Sequence, residues 1–199
     1  MTVLAVIPPS EHVHWWFATG VLLLGLCLLA RAVVGPEVWD RRPWRRYLWP
    51  GLTFALGMLM FPVMVLFTSS TLHMLAHGVW AQVMLLAGAA SLGVAAGKLK
   101  HPAWNLAVPF ALFVSGLSFL IHEQNPWLYS RSSFGHHMAG VVLLIGGLFP
   151  LALAWRPRWT PAAVGYALVF VVIAIVLFAD RDVAPIFGHL DPDAGAPHR

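Results

Sequence analysis

The sequence predicts an all-α integral membrane protein, a bundle of about six transmembrane helices with both termini on the outer, periplasmic side. Three observations predict it. The 199 residues are 59% hydrophobic and only 10% charged, with a mean hydropathy of +0.76, whereas a soluble globular domain carries about 25% charged residues. Six apolar runs are each long enough to cross a hydrocarbon core, which takes roughly 20 residues. The cationic residues fall in alternate loops between those runs. Residues 1–182 form a single six-helix transmembrane domain, with 183–199 as a flexible outer-side tail.

The first run is about Trp15–Val34. No lysine or arginine precedes it in the first ten residues, and it is long enough to span, so it is read as a retained helix and not a cleaved signal. The second is about Trp49–Thr68, with Pro62 at a predicted kink. The third is about Leu72–Gly97, the fourth about Ala103–His122 and the fifth about Phe134–Trp155. The sixth is about Pro161–Ala179, where Pro161 suits a first helical turn. All are helices in this reading, because a lipid-facing chain must satisfy its own backbone hydrogen bonds.

Orientation follows from charge. Arg31, Arg41, Arg42, Arg45, Arg46, Lys98, Lys100, Arg156 and Arg158 lie on one side, nine of the twelve Lys and Arg. Arg131, Arg181 and Arg199 lie on the other. The positive-inside tendency makes the rich side cytoplasmic, and the localisation a bacterial inner membrane crossed several times. The basic residues occupy short loops, so the high isoelectric point marks orientation and not a nucleic-acid surface. The lone cysteine, Cys27, allows no intrachain disulfide.

The ten histidines segregate on this map. His12 and His14 precede run one, His73 and His77 open run three, His122 closes run four, His136 and His137 open run five, and His189 and His198 lie in the tail. Only His101 is on the inner side. Six of the eight acids, Glu11, Glu123, Asp180, Asp182, Asp191 and Asp193, are also outside. No acid lies within a span, so a transmembrane ion pathway has no obvious stepping stones.

His73 and His77, four apart, share one helix face that Trp80 and Met84 continue. His122 comes from the next helix and His136 or His137 from the one after. Consecutive helices usually pack as neighbours, so three ligand-bearing ends can converge at one depth. Imidazole suits copper, zinc, iron and nickel, and thioether sulfur selects Cu(I). Met74 and Met138 sit beside the histidines, and Met58, Met60 and Met64 are on run two. The predicted metal set is therefore His73, His77, His122, His136, His137, Met74 and Met138, with copper as the metal and haem b or zinc as alternatives. Each histidine also has a plainer reading as an interfacial side chain with its tip in water. Ser115, Ser118 and His122 form a polar stripe that reads as an inward face. His136 and His137 are about 100° apart on a helix, so at most one points squarely inward. The ends carrying His12, His14, His189, Asp191, Asp193 and His198 are read as solvated tails that could capture a metal. Trp127 and Tyr129 in the loop 122–137 read as an interfacial belt or a lid. The pair reads HMLAH and lacks the glutamate base of HExxH.

His73-Met74-x-x-His77 at the start of a helix is similar to the HMxxHM-like signature of the CtaG family, membrane assembly factors for the copper centre of haem-copper cytochrome c oxidases. His122, the Asn125-Pro126-Trp127-Leu128-Tyr129 turn and His136-His137 before a glycine-rich span resemble that family too. The likeness covers roughly 71–157. It departs from the family in having six spans for the usual seven and Gly78 where a methionine follows the second histidine. The resemblance implies copper delivery to a cytochrome oxidase or another membrane complex, with His73, His77, His122 and His136 or His137 as functional residues.

The leading functional expectation is thus a non-enzymatic copper-binding membrane protein that holds or delivers the metal, with CopD-type copper uptake as a variant. The competing classes are a b-type haem electron-transfer protein with axial His77 and His122, a zinc hydrolase helped by Glu123 or Ser118, and a structural subunit of a larger membrane complex.

Overall fold

The computed structural model describes the backbone of residues 10–67, 71–121 and 131–180, and the side chains of 12–64, 74–121 and 133–180. The described residues form seven helices and no strand. They are α1 (Ser10–Val34), the single-turn α2 (Pro36–Trp39), α3 (Leu48–Phe67), α4 (Thr71–Ala95), α5 (Ala107–Ile121), α6 (Arg131–Trp155) and α7 (Thr160–Ala179). Short 3-10 turns at Arg45–Tyr47 and Pro102–Leu106 lead into α3 and α5. Six of these helices are long and apolar enough to cross a membrane, which agrees with the six predicted runs. The boundary of the predicted tail, 183–199, lies outside the described residues.

The six long helices close a ring in chain order. Each packs on its sequence neighbour, and α1 packs extensively on α7, which joins the last span to the first. The ring has two ends. One holds the starts of α1, α4 and α6 and the end of α7, and is the histidine end. The other holds Arg31, Arg46, Lys98 and Arg158, and is the arginine end. The described chain enters and leaves at the histidine end, as an even number of spans requires.

Lipid tails are as apolar as leucine, so helices in a bilayer are held together by close packing and not by hydrophobic exclusion. Two close approaches set this bundle. A Cβ on Gly88 of α4 would lie 2.6 Å from the Phe54 nitrogen of α3. A Cβ on Gly116 of α5 would lie 2.9 Å from the Gly140 oxygen of α6. Ala18, Leu24, Ala81, Ala167 and Ala174 complete a buried axis, while Leu23, Leu86, Phe110, Ile145 and Ile175 face outward. Helices apolar on all sides suit a lipid-embedded bundle.

The turns follow local chemistry. α4 stops at a Schellman motif: Lys98 N–H donates to the Gly93 carbonyl at 2.9 Å and Gly97 N–H to Val94 at 2.9 Å. Gly97 takes φ +70° there, a conformation that glycine adopts without steric cost. The inner histidine, His101, caps the following turn, its Nδ1 accepting from Ala103 N–H at 3.2 Å. Pro62 lies inside α3, which continues to Phe67. The fourth run differs from a simple helix: Pro102–Leu106 is 3-10 and the α-helix begins at Ala107.

Candidate functional site

Three helices, α1, α4 and α6, are each 25 residues long. At 1.5 Å per residue they run about 38 Å, longer than the ~30 Å hydrocarbon thickness. All three begin at the histidine end, and their opening turns carry the histidines. His12 and His14 therefore belong to helix α1 and not to a tail, a correction to the sequence reading. Ser10 and Glu11 directly after Pro8-Pro9 are the helix-start signal that would have placed them.

His14 meets Asp180, the residue that follows α7. Their Nδ1 and Oδ2 atoms are 2.7 Å apart, with His14 22% and Asp180 4% exposed. A carboxylate this buried is costly without a cationic or hydrogen-bonding neighbour. Asp180 falls directly after the most apolar run, where the fold closes α7 on α1, so its burial was not legible from the run alone. The ring of His136 stands edge-on to His14, with centroids 6.2 Å apart. On its other side, His136 packs against Phe119 of α5 at 5.6 Å.

Beneath this group an aromatic layer fills the ring. Trp80 lies 6.1 Å from Phe119 and 5.6 Å from Phe17. Phe17 follows His14 by three residues on α1, so the layer joins α1, α4, α5 and α6 at one level. Ser118 Oγ donates to the Ala76 carbonyl at 3.2 Å, which sets His77 of α4 beside the same part of α5. Ser115 and Ser118 are both buried, as their stripe predicts.

The predicted set divides as follows. His77 is half-buried at the level of Ser118. His136 is half-buried and packs toward α1 and α5. His137 points elsewhere, its Nδ1 2.8 Å from the Ser133 carbonyl of its own helix. His73 lies in the first turn of α4, with its side chain outside the described residues. His122, Glu123, Trp127, Tyr129, His189, Asp191, Asp193 and His198 lie outside them altogether. Met74 and Met138 are 45% and 39% exposed, so they do not pack into the bundle as the sulfur argument expects. The thioether that reaches the His77 helix is Met64: its Cε is 3.1 Å from where a Gly78 Cβ would stand. Among the described residues, no three of His, Cys, Asp and Glu gather closely enough to hold a metal ion. The described part of the site is a His14–Asp180 pair flanked by His136.

Compared with models of known families, with curated proteins and with solved structures, the chain matches none.

Proposed function

We propose that this multi-pass membrane protein holds copper at its histidine end and passes it to a membrane partner such as a cytochrome oxidase. The reading is supported above all by His14, His77 and His136 standing on three different helices at the same end of the bundle, with the His14 and His136 rings in contact beside a buried carboxylate. The donor chemistry fits in kind: imidazoles with a nearby thioether suit copper. The described residues do not complete a donor set, so the proposed ligands are His77 and His136 together with His73 and His122, with Met64 as the nearby sulfur. In this proposal His14, held by Asp180, orients His136 and is not itself a ligand. Bound copper would supply a labile, soft centre for transfer. The positive-inside tendency turns this end to the periplasm of a bacterial inner membrane.

Copper is favoured over haem by one observation. A porphyrin between α4 and α5 would have to displace the packed rings of Trp80 and Phe119. The test is elemental analysis and an absorption spectrum on one detergent-purified sample. Near-stoichiometric copper without a Soret band is expected, falling about tenfold or more in His77→Ala and His136→Ala, with elution profiles unchanged. Copper content unaltered in both variants would sink the proposed site. Iron with a Soret band would replace it with the electron-transfer reading.

A further inference from the structure

At the arginine end the ring opens into a cavity of about 560 Å³ to which all six spans contribute. That volume lies within the range of small-molecule sites, about 300–1,000 Å³. Its walls are mainly apolar, including Leu28, Val108 and Leu153 with the polar Ser91 and Asn105 among them, and its rim is charged. Tyr166, six residues into α7, stands about 9 Å below the rim. The shape is therefore amphipathic, with a polar mouth above an apolar shaft.

The rim carries three cations, Arg31, Arg46 and Arg158, and one acid, Asp40. Arg31 Nη2 donates to Asp40 Oδ2 at 3.1 Å. Arg158 pairs with Glu37 at 2.6 Å. Arg46 bonds the Tyr47 hydroxyl at 2.9 Å and meets no carboxylate among the described residues. The Arg31–Asp40 pair is also incomplete: Arg31 Nε and Asp40 Oδ1 are both buried without a hydrogen-bond partner among the described residues. Three guanidinium groups and one carboxylate around a single cavity mouth suit one kind of group. It has anionic oxygens to accept from arginine and a hydroxyl to donate to Asp40.

We propose that this cavity binds a glycerophospholipid of the phosphatidylglycerol type. The phosphodiester sits on Arg46, a headgroup hydroxyl donates to the Asp40 carboxylate, and an acyl chain enters the shaft toward Leu28 and Tyr166. Basic pockets among transmembrane helices recognise anionic headgroups by this combination of charge and hydrogen bonding.

Native mass spectrometry of the detergent-purified protein tests it, with phosphatidylglycerol, phosphatidylcholine, oleate and inorganic phosphate as separate probes. One phosphatidylglycerol per chain is expected, bound at least about tenfold more tightly than the other three. Arg46→Gln weakens it by about tenfold or more, Arg46→Lys restores part of it, and Ser91→Phe, which fills the cavity wall, abolishes it. Arg41→Gln removes the same charge from the same loop outside the cavity and leaves binding unchanged. Equal loss in Arg41→Gln and Arg46→Gln would show diffuse surface attraction and overturn the site. Oleate or inorganic phosphate binding as tightly as the lipid would overturn the assignment to a phospholipid. Both exposed-arginine variants keep the buried packing, so they decide the matter even if Ser91→Phe fails to fold.

Discussion

The His14–Asp180 contact makes an asymmetric prediction. His14→Ala leaves a carboxylate that is 4% exposed without its imidazole neighbour, 2.7 Å away in the native chain. Removing one partner of a buried pair costs about 3–5 kcal/mol, and the 22% exposure of His14 places this site at the low end, about 3 kcal/mol. Asp180→Ala leaves an imidazole that is 22% exposed and reaches water, so only a hydrogen-bond-scale loss of about 1 kcal/mol is expected. For a chain of this size, 1 kcal/mol moves Tm by about 2–4 °C. His14→Ala should then fall by about 6–12 °C and Asp180→Ala by about 2–4 °C. Replacing both by leucine should cost less than His14→Ala alone, because packed apolar groups need no desolvation. Thermal unfolding in detergent, followed by tryptophan fluorescence, measures all three. Asp180→Ala costing as much as His14→Ala, or a double variant whose losses simply add, would refute the reasoning that burial of the carboxylate governs this contact.

Three further substitutions test the packing. Gly88→Ala should destabilise by about 1–3 kcal/mol, because its Cβ would stand 2.6 Å from backbone nitrogen of Phe54 and the two helices must part; Gly51→Ala, with nothing within 4 Å, should instead stabilise by up to about 1 kcal/mol, and chemical unfolding of the two variants compares them. Trp80→Ala, which removes the centre of the aromatic layer between Phe17 and Phe119, should cost about 3 kcal/mol; a Tm within 2 °C of wild type, a shift worth about 1 kcal/mol or less, would show that the layer does not bear on stability.

The histidine end was legible in part. His73 and His77 share a face because four residues make about one turn, and their place near a surface follows from run length. Ser115 and Ser118 read as inward for the same local reason. His136 and His137 were left undecided by sequence, since adjacent residues differ only by rotation. Packing on Phe119 and His14 turns His136 inward, while a bond to Ser133 occupies His137. Met74 and Met138 read as donors because they adjoin histidines, but adjacency in sequence is about 100° of rotation on a helix, and both end exposed.

The six spans and their alternation are legible in the residues alone. A span is a local quantity: about 20 apolar residues cross the hydrocarbon whatever surrounds them, and each helix satisfies its own backbone. Which helices touch is set by packing and is not a local property. Apolar helices have no strong hydrophobic preference for one another within lipid, so their neighbours are chosen by shape at small residues. That choice places α7 against α1, brings His14 to Asp180 from opposite ends of the described chain, and opens a charged cavity where the arginine-bearing ends of all six helices meet.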